Sequence, residues 1–138
     1  MEALEFLKSK IAGFPGYARD DDRRRSDELV RSYLGEALAD LQKCLGSSTD
    51  STLAQKAGDL LIRVAFTNQH AYKAYENAAR TNADFDAMAA ADASTVEVAD
   101  RAASTDAPGF GAYLDEAAAA LDRRDACMSG AKTAGAIP

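Results

Sequence analysis

The sequence predicts an all-α protein, and three observations carry that prediction. Roughly a fifth of the 138 residues are Ala, the strongest helix former, while the strand formers Val, Ile and Thr are sparse. Apolar residues recur at spacings of three and four over long stretches, the period of one buried helix face. Breaks rich in Gly, Pro, Ser and Asp divide those stretches into segments of helical length. The expected architecture is an antiparallel helical bundle of four main helices plus a short N-terminal helix. It forms one domain over residues 1–128, with a flexible tail over 129–138.

Residues 2–12 form the short helix, with Leu4, Leu7 and Ile11 turned inward and Gly13 stopping it. The loop Gly13-Phe14-Pro15-Gly16-Tyr17 follows, and Pro15 pushes Phe14 out of helical geometry. Its two rings either tuck over the end of the bundle or serve as a partner contact. The second helix covers residues 20–45, with Asp20, Asp21 and Asp22 at its positive end and a stripe of Val30, Tyr33, Leu34, Leu38, Leu41 and Leu45. Arg23, Arg24 and Arg25 face Asp20, Asp21, Asp27 and Glu28 at three- or four-residue spacing, a self-paired helix start. The alternative is an acidic-partner contact built by the three arginines.

Residues 51–80 carry the longest helical pattern, about 45 Å if continuous. Its stripe runs through Leu53, Ala57, Leu60, Leu61 and Val64 to Ala71, Tyr72, Tyr75 and Ala78, with Thr67 or Asn68 interrupting it at core level. A short loop at 46–50 makes it the antiparallel neighbour of the second helix. That hairpin sets Gly35 and Gly58 within a turn of facing each other, a place for close helix approach. A fourth helix is expected over roughly 84–104, capped by Asp84, with Ala-Asp-Ala-Ser-Thr-Val as a point where it kinks or splits. After the break at 104–109, the last helix covers about 110–128 and ends with Arg123 and Arg124 matching its negative end.

Charge and composition narrow the function. The net charge of −6 is concentrated in residues 83–138, which hold 4 basic and 10 acidic side chains. That acidity argues against nucleic-acid binding through this surface, because phosphates need neutralising cations; it reads as a solvated acidic face, with a basic protein partner as the alternative. No apolar run approaches the ~20 residues that cross a bilayer, and no secretory hydrophobic block opens the sequence. The expectation is a cytoplasmic protein without a membrane role. Cys44 and Cys127 fall near the ends of helices that run in opposite directions, so they are read as free thiols.

The only His and the densest aromatic content lie in the 51–80 stretch. Tyr33, Asn68, His70, Tyr72, Tyr75 and Glu76 are the candidate ligand-binding set, a polar and aromatic pocket between helices for a small molecule. Phe14, Tyr17, Arg23, Arg24 and Arg25 are the candidate partner contacts. No phosphate loop, nucleophile elbow or repeated Glu-x-x-His pair is present, so no catalytic residue, metal ligand or cofactor is assigned. Acid–base work by His70 with Glu36, Asp40 or Glu76 has no motif behind it. The leading expectation is a protein-interaction or regulatory module that self-associates as a homo-oligomer; a ligand-binding bundle is second.

Overall fold

The computed structural model describes residues 2–45, 51–66 and 82–129. They form an all-α bundle of α1 (Glu2–Lys10), α2 (Asp20–Leu45), α3 (Ser51–Ala65), α4 (Asn82–Arg101) and α5 (Phe110–Ser129). Two 3-10 turns, Ala102–Ser104 and Ala107–Gly109, make the corner between α4 and α5.

Helices α2 and α5 each pack on both α3 and α4, and α1 lies along α4. Side-chain pairs set the directions. Arg101 meets Glu116 while Arg123 meets Ser94, so α4 and α5 are antiparallel. Lys56 meets Asp115 while Arg63 meets Asp122, so α3 and α5 run the same way. Each sequential hairpin, α2/α3 and α4/α5, is therefore antiparallel, and the hairpins pack with like-directed helices side by side. Successive helices α3 and α4 end up at diagonal corners.

The core has two parts. The larger gathers Leu34, Leu38, Leu41 and Leu45 of α2 against Ala57, Leu60 and Val64 of α3 and Phe110, Leu114, Ala117 and Leu121 of α5. The smaller joins Leu7 and Ile11 of α1, Phe14 and Tyr17 of the loop, Val30, Met88, Val96 and Met128. Burying one such large apolar side chain contributes roughly 1.5–3 kcal/mol, so the loop rings anchor α1 as effectively as its own leucines do.

Several expectations change. The α-helix that starts at Ser51 closes at Ala65 with a bend at Phe66, well short of 80. Phe66 is a weak helix former, and the rest of the 51–80 stretch, from residue 67 on, lies outside the described residues. Helix α4 does not split: it is continuous from Asn82 to Arg101, and Thr95 Oγ1 donates back to the Ala91 carbonyl at 2.9 Å. Gly35 and Gly58 do not face each other. A Cβ on Gly35 would sit 3.3 Å from Val64 and one on Gly58 3.6 Å from the Gln42 amide, which puts the glycines about two turns apart along the pair. Only Gly35 supports a close approach.

The loop between α1 and α2 needs its glycines. Gly13 has φ +75° and Gly16 φ +89°, where other residues are strained. Those two reversals fold Phe14 and Tyr17 inward to 4 % and 6 % exposure, with their rings edge-to-face at 5.9 Å. The rings belong to the core and present nothing to a partner.

Candidate functional site

Three features outside the apolar core bear on function: a buried ion cluster, a groove beside α2, and the outer face of α3.

The cluster sits where α2, α4 and α5 converge near the N-terminal end of α2. Arg124 is 1 % exposed. Its Nε donates to Asp92 at 2.5 Å and its Nη2 to Asp27 at 2.9 Å, both carboxylates being buried as deeply. Asp27 also accepts from Arg31 Nε at 3.0 Å, and Arg31 Nη1 reaches the Val64 carbonyl at 3.1 Å. Tyr17 donates its hydroxyl to the second oxygen of Asp92. Ser26 closes the layer by donating to the Gly16 carbonyl at 2.7 Å. Burial pushes the Asp92 carboxyl above its ordinary range, against the pull of Arg124 and the Tyr17 hydroxyl. Around Arg124 burial works toward neutrality, yet the two carboxylates outweigh it and hold the guanidinium charged. Two arginines and two aspartates balance, so the cluster is a satisfied internal layer tying the loop to three helices.

Local pattern alone misplaces these residues: it ties Arg124 to the dipole of its helix end and Asp27 to the surface arginines. The signal that finds them is register. Arg124 follows Leu121 by three and precedes Met128 by four, and Asp92 lies four from both Met88 and Val96. Asp27 lies three before Val30. A charge on an apolar stripe must be buried with a partner.

The groove lies between α2 and the α4–α5 corner and encloses about 370 Å³. Tyr33, Glu36, Ala37, Asp40, Leu41 and Cys44 line one wall, all from one face of α2. Ala99, Asp100, Ala102, Ala103, Thr105 and Phe110 line the other. The floor is apolar and mostly Ala, and three carboxylates mark the rim. At one end Tyr33 donates to Asp100 at 2.6 Å, and Lys10 reaches the other Asp100 oxygen at 2.9 Å. The Asp100 bond, followed by partial burial, pushes the Tyr33 phenol up to about 12. Asp100 itself feels burial upward, but the Tyr33 and Lys10 hydrogen bonds prevail and hold it below its usual range.

The outer face of α3 carries Ile62 at 65 % and Phe66 at 71 % exposure, one turn apart. Among the described residues they are the large apolar side chains left in water. Phe66 borders a cavity of about 200 Å³ with Asp27, Arg31, Arg63 and Asp125. A separate shallow depression between α2 and α3 is lined by Gly35, Ala39, Leu61, Val64 and Ala65, with Arg31, Ser32 and Glu36 at its edge.

Of the residues singled out from sequence, Tyr33 lines the groove, facing α4. Asn68, His70, Tyr72, Tyr75 and Glu76 lie outside the described residues. Among the candidate partner contacts, Phe14 and Tyr17 are buried. Arg23 is occupied: its Nε donates to the Tyr17 carbonyl at 2.9 Å, it pairs with Asp20, and it stacks 5.1 Å over the Phe85 ring. Arg24 and Arg25 are exposed, with Arg25 3.5 Å from Glu28. Arg23 therefore ties the start of α2 to the preceding loop and to α4, while Asp27 turns inward to Arg124. Cys44 and Cys127 are free thiols, one exposed and one half-buried. Among the described residues no helix is long and apolar enough to cross a membrane. No protein-family model, curated protein or solved structure matches this chain.

Proposed function

We propose that this protein is a small helical interaction module that pairs with a second copy of itself through the outer face of α3. The observation that supports this is the exposure of Ile62 and Phe66, together with a small-residue depression of Gly35, Ala39 and Ala65 in the α2–α3 seam. The exposed ring and the seam are matched under a two-fold axis: each protomer's Phe66 enters the other's depression. Transferring such a ring from water contributes roughly 1.5–3 kcal/mol per copy. The role is one of assembly rather than catalysis, in the cytoplasm, where Cys44 and Cys127 stay reduced.

Sedimentation velocity tests the reading. Wild type should shift toward twice 14.6 kDa with rising concentration. Ile62→Ser/Phe66→Ser should stay monomeric with an unchanged melting curve, since neither side chain is in the core. Added salt should strengthen the pairing by screening the repulsion of two chains of charge −6. A wild type that stays monomeric at high concentration and high salt overturns it.

A further inference from the structure

We propose that the groove between α2 and the α4–α5 corner is a binding site for a linear aliphatic polyamine. This does not depend on self-association. At about 370 Å³ the groove has the capacity of a small-molecule site rather than a protein interface. Its shape selects a slender occupant. From Tyr33 to Cys44 the α2 wall extends about 16 Å, and the Ala37, Ala99 and Ala102 methyls leave a floor suited to a methylene chain.

Its charge selects a cation, and the three carboxylates contribute unequally. Asp100 is already held by Tyr33 and Lys10. Glu36 has no ion-pair partner among the described residues. Among the described residues Asp40 pairs with Lys43 alone, at 3.7 Å with both side chains about four-fifths exposed, a pairing worth little. Glu36 and Asp40 are thus the groups left to recognise the ligand. They stand one helical turn apart, about 5–6 Å between Cβ atoms, a pitch matched by ammonium groups separated by three or four methylenes. A polyamine satisfies both at once, setting two ammonium groups against the carboxylates and the intervening chain on the Ala floor.

Titration calorimetry with spermidine, at low salt, tests the site. Wild type should bind one equivalent, and Glu36→Gln/Asp40→Asn should lose at least tenfold in affinity. Ala37→Phe, which fills the floor and keeps every carboxylate, should also weaken binding. Asp115→Asn/Asp122→Asn removes two carboxylates elsewhere and should bind as wild type, as should Ile62→Ser/Phe66→Ser. No binding at millimolar spermidine overturns the proposal. So does equal loss in both carboxylate pairs, which reports general acidity, or unchanged binding by Ala37→Phe, which places the ligand elsewhere.

Discussion

Two arginines in this molecule each grip two aspartates, in opposite surroundings. Arg124 holds Asp27 and Asp92 at 2.9 and 2.5 Å with 1 % of its side chain exposed. Arg63 holds Asp122 and Asp125 at 2.8 and 3.0 Å with 35 % exposed, and Asp122 is 72 % exposed. The contact lengths barely differ; access to water does. Around Arg63 water solvates whatever a mutation leaves unpaired, and salt screens the attraction. Around Arg124 burial denies water to any group a mutation leaves short of a partner, so the cluster resists partial removal even though its net worth over an apolar layer is small. Contact lists alone would rank the two alike.

The largest effect should come from Arg124→Met. It leaves buried Asp92 to the Tyr17 hydroxyl and Asp27 to Arg31, and should cost about 3–5 kcal/mol in chemical denaturation. Replacing all four charges, Arg124→Met/Arg31→Met/Asp27→Leu/Asp92→Leu, should recover most of that loss, because no charge is then buried alone. If the combined variant is as unstable as the single, the difference between the two arginines is not one of desolvation. Tyr17→Phe should have an intermediate effect of about 1–3 kcal/mol, since it removes one donor from buried Asp92 and leaves the ring in place. A loss within error there would mean that Arg124 alone satisfies Asp92. Arg63→Ala should be the mildest, at about 1 kcal/mol or less after solvent screening, and smaller still in high salt. A salt-independent loss as large as that of Arg124→Met would remove the comparison altogether.

Much of the fold was legible because it depends on local periodicity. The stripe of Val30, Leu34, Leu38, Leu41 and Leu45 defines α2 unaided, and its observed bounds, Asp20–Leu45, match the expected ones. The short hairpin to α3 and the corner before Phe110 were equally readable, since loop length and turn residues impose them. Less was legible at the sites. Phe14 and Tyr17 between two glycines suit both an exposed contact and a packed loop, and only the positive φ of Gly13 and Gly16 together with the room beside α4 selects the second.

By itself the sequence determined the helical class, the helix seams and the acidic back half, because each is a property of neighbours within a turn or two. Tertiary structure alone decided which charges are buried, which helices are diagonal and where a groove opens. Asp27, Asp92 and Arg124 are separated by 65 residues from Asp27 to Asp92 and by 32 from Asp92 to Arg124, and each resembles a surface charge until its partners arrive. The groove likewise joins one face of α2 to a corner some sixty residues downstream. Desolvation and cavity shape are properties of what packs around a residue, and no local pattern encodes them.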